Sequence, residues 1–290
     1  MGLGALIYRG PRPVRRAERF TRARQAGILE LQRRFGGIER LYGPGALQRL
    51  GAASVCVVGV GGVGSWAVEA LARSAVGSIT LVDMDHVAES NFNRQLPAIE
   101  PEIGRAKIAV LRERIALINP ACRVEGHDAF VTADNIDLLI DPAHDWVVDC
   151  IDSFRTKAAL IAACRRRGQA IVTVGGAGGQ RDPTRVRLGD LRKTEQDPLL
   201  ARTRRLLRQS YGFPVNPKRR FGVACVWSDE PQLVPRDCVI PPEGSLNCAG
   251  FGACMPVTAT FGLVAAAHVA ERLAGSEPHA EAVQSSSSPP

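Results

Sequence analysis

Between Val58 and Ser65 the chain reads Val-Gly59-Val-Gly61-Gly62-Val-Gly64-Ser. Glycines at this spacing, after an apolar run and before a helical pattern, let backbone approach a phosphate. The helix N-terminus then supplies N–H donors and a positive dipole end. Asp83 closes the next strand-like run, where a carboxylate can accept ribose hydroxyls. These two features suit any nucleotide, NAD included. Three further elements narrow the choice. In Ser90-Asn91-Phe-Asn93-Arg94-Gln95 a guanidinium can fork onto phosphate oxygens and asparagines can orient them. Lys107 opens an amphipathic pattern, and its ammonium can reach a β- or γ-phosphate. Asp149-Cys-Ile-Asp152-Ser153 ends an apolar run. A carboxylate there suits Mg²⁺, which takes one or two carboxylates plus substrate phosphates. In this order the five elements describe an ATP–Mg²⁺ site rather than a dinucleotide site.

The elements that must position these residues alternate along the chain. Apolar, β-branched runs at 54–60, 78–83, 145–151 and 169–174 read as strands buried on both faces, with a weaker strand at 122–126. Helical patterns fall at 64–75, 104–118 and 154–167. Strands alternating with helices predict an α/β fold, a Rossmann-like doubly wound and mostly parallel sheet. Folded sequence is expected from about residue 26, where helical spacing at Ile28, Leu29, Leu31 and Gln32 leads into a glycine-interrupted segment at 33–43. After Pro183 the expectation is a strand at 184–191, a basic helix at 197–211 and a loop-rich stretch at 212–247. Residues 245–270 carry no formal charge. Their glycines, threonines and Pro256 dilute the hydropathy, so they read as a helix buried behind the sheet or in a dimer interface, not as a membrane span. This gives a single domain over 26–274, with a nucleotide-binding half (26–180) and a second half (181–274) that completes the sheet.

At 290 residues, 45% apolar and 23% charged, the chain can bury a substantial core. It is neither wholly disordered, nor collagenous, nor a small disulfide scaffold. Eight cysteines include no CxxC pair, so no structural zinc is expected. Without a secretory signal they read as reduced thiols in the cytoplasm, with peripheral membrane association left open. The net charge of +8 is concentrated. Residues 1–24 hold seven arginines and one glutamate, while 202–220 hold Arg202, Arg204, Arg205, Arg208, Lys218, Arg219 and Arg220 with no acid. The first segment reads as a disordered extension, either a transit peptide or an over-long translation start. The second is either a solvated basic loop or a nucleic-acid-facing one. Residues 275–290 read as a disordered tail.

The series GVGGVGS, LVDMD, SNFNRQ, Lys107 and DCIDS resembles the adenylating superfamily of ubiquitin-activating enzymes, ThiF and MoeB. Within it, RFGGIERLYG, LVDMDHVAESNFNRQ, INPACRV, KAALIA, GGAGGQRDPT, QDPL and GFGACMPVTATFG are similar to the tRNA threonylcarbamoyladenosine dehydratases, the TcdA (CsdL) group, from about Phe35 to Leu273. The resemblance implies an enzyme that adenylates the threonyl carboxylate of threonylcarbamoyladenosine beside the anticodon. Pyrophosphate leaves, the carbamoyl group then attacks, and AMP is expelled as the ring closes. Carried over, Gly59, Gly61, Gly62 and Gly64 face phosphates and Asp83 binds ribose. Ser90, Asn91, Asn93 and Arg94 flank the triphosphate, Lys107 contacts phosphate, and Asp152 holds Mg²⁺. Arg40, or less favourably Arg34, matches an arginine finger given to a partner subunit, which implies a homodimer. The basic segment 202–220 becomes a tRNA phosphate contact.

The alternative within the superfamily is an adenylyltransferase for a ubiquitin-like sulfur-carrier protein. The missing CxxC pairs argue against it. Superfamily members of that kind use a catalytic cysteine, for which Cys225 is the best-placed thiol, although a structural cysteine is the simpler reading. A sulfur-relay partner, a cysteine desulfurase or its acceptor, is a further possibility that the resemblance raises. An NAD oxidoreductase has only the glycine loop and Asp83 in its favour. A non-catalytic nucleotide-regulated scaffold would leave Arg94, Lys107 and Asp152 without a use.

Overall fold

The computed structural model describes residues 30–216, 218–233 and 251–275. The expected disordered ends and Cys238 and Cys248 lie outside them. Among these residues seven strands form one sheet in the order β3-β2-β1-β4-β5-β7-β6. They are β1 (Ser54–Val58), β2 (Ser78–Val82), β3 (Arg123–His127), β4 (Trp146–Asp149), β5 (Ala170–Val174), β6 (Val186–Asp190) and β7 (Ala224–Ser228). All pairs are parallel except β6 with β7. The expected doubly wound, mostly parallel sheet is therefore present, and its second half adds β7 and β6 to one edge.

Alternation along the strands divides the core into two layers. Val55, Val57, Ile79, Leu81, Val148 and Val172 face one side. Helices α2 (Ala46–Ala52), α3 (Gly64–Arg73), α4 (Lys107–Ile118) and α8 (Met255–Ala274) cover that side. Cys56, Val58, Val147, Ile171 and Cys225 face the other. There they meet the short α5 (Ile136–Leu139), α6 (Phe154–Arg167) and α7 (Pro198–Ser210). Burial on both faces is why these strands read as continuous apolar runs.

Three expectations need correction. The glycine-interrupted segment is one helix, α1, described over 30–42. Phe35 packs with Leu47 and Ala75. The Glu39 carboxylate accepts the Gly45 and Leu47 backbone N–H groups at 2.6 and 2.9 Å. Tertiary packing thus outweighs the propensity cost of Gly36 and Gly37. The stretch read as loop-rich contains β7, a strand inside the sheet. Its run Val223-Ala-Cys-Val-Trp227 is short and set among loop residues, which hides it from pattern reading. The loop reading of the basic segment fails for its first four arginines, which lie on α7, the basic helix expected at 197–211.

The uncharged stretch ends in α8, which lies behind the sheet, as one of the two expected placements had it. No helix among the described residues is long and apolar enough to cross a membrane. Helix α8 packs closely on α3 through Gly262. A Cβ there would run into the Val63 carbonyl oxygen and come within 2.9 Å of the Ala67 nitrogen. Gly262→Ala should therefore cost about 1–3 kcal/mol by overpacking, read as a lowered thermal midpoint with the nucleotide site otherwise intact.

Candidate functional site

Chain order puts β2 and β3 on one side of β1 and β4 and β5 on the other. The crevice beyond the carboxyl ends of β1 and β4 is thus the topological switch point, where open α/β sheets bind ligands. A cavity of about 550 Å³ occupies it. Its walls are the Gly59–Val63 turn, the Asp83–Asp85 strand end, the Arg94–Gln95 loop, Lys107, Ala129–Thr132, Cys150–Ser153, Thr156 and parts of Val174–Gly178 and α8.

The glycine loop divides by role. Gly59 sits at φ +83°, and a Cβ there would meet the Cys150 carbonyl at 3.0 Å. Gly61 and Gly62 line the cavity. A Cβ on Gly62 would press on Arg94 Cγ at 3.2 Å, so the arginine stem lies over that glycine. Gly64, expected to face phosphate, does not line the cavity. Its Cβ would collide with the Gly59 carbonyl oxygen, so this glycine lets α3 close onto β1.

Asp83 Oδ2 accepts the Val60 N–H at 2.7 Å and Oδ1 the Asp85 N–H at 2.8 Å. Burial nonetheless pushes its carboxyl above the ordinary aspartate range. Asp83 therefore ties the glycine turn to the β2 end as well as facing the cavity. Lys107 is buried, and its Nζ donates to Asp85 Oδ2 at 2.8 Å. Asp85 itself is half exposed. Like Gln95 it lines the cavity and had no assigned role, although it lies two residues past Asp83 in LVDMD, a spacing that puts both on one side of an extended chain.

Arg94 lines the cavity while its Nη1 donates to the Ser90 carbonyl and to Asn93 Oδ1, both at 2.9 Å. Trp66 Nε1 holds the Arg94 carbonyl at 2.9 Å. Ser90, Asn91 and Asn93 were expected to flank the triphosphate, but they are not among the lining residues. Asn91 Oδ1 accepts the Ala88 N–H at 3.1 Å, and Asn93 Nδ2 donates to the Ala253 carbonyl at 2.8 Å. In this structure they brace the loop that presents Arg94. Gln95 also lines the cavity, and its Oε1 is buried without a partner among the described residues. An acceptor left in that state suits a donor on a ligand. The Ala129–Thr132 wall carried no sequence signal. It is held by Asn135, whose side chain bonds the Thr132 N–H and the Phe130 carbonyl at 2.7 and 2.8 Å.

Asp152 and Ser153 lie on the opposite wall, and Ser153 is the N-cap of α6, accepting from Thr156 N at 3.5 Å. Among the described residues no cluster of three or more His, Cys, Asp or Glu side chains could hold a metal by itself. A single carboxylate at the mouth of a phosphate-sized cavity still fits magnesium, which takes its other ligands from phosphate and water. Arg40 is exposed on α1 and outside the cavity of its own chain, and its guanidinium lies near Gly36 and Gly37. Arg34 pairs with Glu30 at 2.9 Å and donates to the Ile118 carbonyl.

The basic segment splits as well. Arg202, Arg205, Lys218, Arg219 and Arg220 are exposed. Arg202 lies 6.0 Å from the Phe154 ring, at the start of α6 beside the cavity. Arg204 is half buried and donates to Thr194 Oγ1, and Arg208 stacks over Phe221 at 5.1 Å. These two arginines hold α7 in place.

A nucleotide-sized cavity at the switch point, with a glycine turn, two cations and a carboxylate at its edges, marks a Rossmann-like nucleotide-binding protein. Residues 36–287 match the ThiF family, and the chain belongs to that family. It is 48% identical over 252 residues to the tRNA threonylcarbamoyladenosine dehydratase of Haemophilus influenzae, covering 86% of this chain and 96% of that protein. The crystal structure of the Escherichia coli tRNA N6-threonylcarbamoyladenosine dehydratase TcdA in complex with ATP is 49% identical, with a TM-score of 0.76 over 83% of this chain and 94% of that one. The same enzyme in complex with AMP gives the same TM-score at 50% identity.

Cys225, the thiol with a catalytic option, lies in β7 and is fully buried. Burial raises its pKa well above the ordinary thiol value, which disfavours the thiolate that a nucleophile needs. In native protein at pH 8, Cys225 should resist alkylation that proceeds after unfolding. Cys225→Ala should leave turnover within about twofold of wild type. Rapid native modification with loss of activity would reinstate the thiol.

Proposed function

We propose that this chain is an ATP-dependent tRNA threonylcarbamoyladenosine dehydratase, which closes the threonylcarbamoyl group beside the anticodon into its cyclic form. The observation that carries this reading is near-half identity over almost the full length of a dehydratase of that name, with Arg94, Lys107, Asp152 and the Gly59–Gly62 turn around one cavity. A free carboxylate cannot lose oxide directly. Adenylation exchanges that poor leaving group for AMP. The threonyl carboxylate attacks the α-phosphate, pyrophosphate leaves, and the carbamoyl group of the same nucleoside then displaces AMP. Both reacting groups belong to one modified base, so no protein nucleophile is needed, in keeping with a buried Cys225. The protein's part is positioning and charge stabilisation. Arg94 and Lys107 face the phosphates. Asp152 would hold the magnesium that accompanies ATP, and the ion would neutralise phosphate charge. Asp83 faces the ribose.

The cavity is small beside a tRNA, so affinity must come from outside it. The exposed Arg202, Arg205, Lys218, Arg219 and Arg220 supply a positive surface on the α7 side, suited to phosphate contacts that carry affinity and salt dependence. By resemblance to the adenylating superfamily, Arg40 is the residue given to the site of a second copy in a homodimer, and its exposed position on α1 is compatible with that role. A tRNA substrate is in keeping with a protein of the cytoplasm. The buried Cys225 offers no accessible thiol to a sulfur-relay partner.

The deciding experiment is mass spectrometry of nucleosides from tRNA that carries threonylcarbamoyladenosine, incubated with the protein, ATP and Mg²⁺. ATP-dependent loss of one water is expected. ATP binding with unchanged tRNA would overturn the reading and favour a protein-carrier substrate. Asp152→Ala should lower turnover by about a hundredfold or more while leaving the fold intact, as loss of a group acting at the reacting phosphates does. Replacing Arg202, Arg205, Lys218, Arg219 and Arg220 by Gln should weaken tRNA binding uniformly and flatten its dependence on salt. An unchanged salt slope would move the tRNA elsewhere.

A further inference from the structure

Beneath the cavity floor lies a closed charged triangle that no step above uses. Lys157, on the first turns of α6, is fully buried, as are Asp149 and Thr173. Lys157 Nζ donates to Asp149 Oδ2 at 2.9 Å, to the Asp149 carbonyl at 3.4 Å and to Thr173 Oγ1 at 3.1 Å. The Thr173 hydroxyl donates in turn to Asp149 Oδ2 at 2.6 Å. Asp149 Oδ1 accepts the Ile151 N–H at 3.0 Å. Every proton of the ammonium and both carboxylate oxygens are thus engaged.

Stability does not require such a device, because a buried ion pair is often no better than apolar side chains of similar volume. Its placement is what sets it apart. Asp149 ends β4 and Thr173 lies near the end of β5, and the segments that follow, Cys150–Ser153 and Val174–Gly175, line the cavity. Asp152 sits in a turn pinned at both ends, by Asp149 on the Ile151 N–H and by the Ser153 cap of the helix that carries Lys157. The β5 side is pinned further on, where Asp197 Oδ2 accepts the Gly176 N–H at 2.9 Å.

We infer that Lys157 is a positioning residue for this site: by joining Asp149 and Thr173 it fixes the turn that holds Asp152 against the metal-bound phosphates. The inference rests on the reading of the cavity as an ATP–magnesium site. It separates two properties, since Asp83 and the glycine turn have no hydrogen bond to a member of the triangle, whereas the Asp152 turn is tied to it through the Ile151 N–H.

The test is Thr173→Val, which removes one corner of the triangle and keeps its shape in a buried strand. ATP affinity is measured with and without Mg²⁺, beside AMP formation on substrate tRNA. Metal-free ATP affinity should stay within about twofold, while the gain in affinity on adding Mg²⁺ should shrink about fivefold and AMP formation fall about tenfold, the scale of a misplaced reacting group. Thr173→Ser should restore both. The double change Asp149→Asn with Lys157→Met, which leaves no uncompensated buried charge, should reproduce the loss. A Thr173→Val protein that keeps the magnesium gain, that loses metal-free binding in proportion, or that Ser does not rescue overturns the inference. If wild-type protein leaves the tRNA unchanged, the proposed reaction falls, while the magnesium gain in ATP affinity still reads the triangle.

Discussion

The site depends on one constraint, the divergence of the chain after two neighbouring parallel strands. β1 feeds α3 on one side of the sheet, and β4 feeds α6 on the other. Two parallel strands that part in this way leave a crevice above their carboxyl ends. Close approach is then needed at its floor. Gly59, at positive φ against the Cys150 carbonyl, and Gly64, against the Gly59 carbonyl, bring the two departing segments as near as backbone allows. Larger residues would separate β1 from β4 or lift α3 off the sheet.

Charge is organised around that crevice in layers. Lys107 is paired with Asp85 at the wall, and Lys157 with Asp149 under the floor. The first pair stands at the water's edge, with a half-exposed carboxylate. The second is sealed, and every donor and acceptor in it has a partner. An isolated charge at that depth would be costly, and pairing is what allows lysine there. Burial raises the thiols of Cys150 and Cys225 well above the ordinary range, and the nearby Lys157 ammonium only partly offsets it.

Helix α7 shows that charges of one sign in a run need not share a role. Thr203 and Leu207 are buried, which fixes the helix orientation. Arg202 and Arg205 then project to solvent, while Arg204 and Arg208, one turn apart, run along the half-buried flank and stack or bond there. Long basic side chains can cover apolar surface with their stems in this way.

The sequence by itself determined the local elements with strong period, including α6 at its full length from Phe154 to Arg167. It also determined which residue types could meet a nucleotide, since glycine turns, strand-end acids and helix-start cations are local signatures. Tertiary structure decided what those types do. Asn91 and Asn93 have the chemistry of phosphate ligands, but they bond backbone groups at Ala88 and Ala253, the second far along the chain, and Asn93 also holds the Arg94 guanidinium. Gln95, Asp85 and the Phe130 wall join the cavity because separate strands end together. β7 exists because the sheet edge offers β5 and β6 as partners for a run too short to announce itself. Periodicity is a property of neighbours in sequence, whereas hydrogen-bond satisfaction and cavity walls belong to neighbours in space, and only packing settles the second.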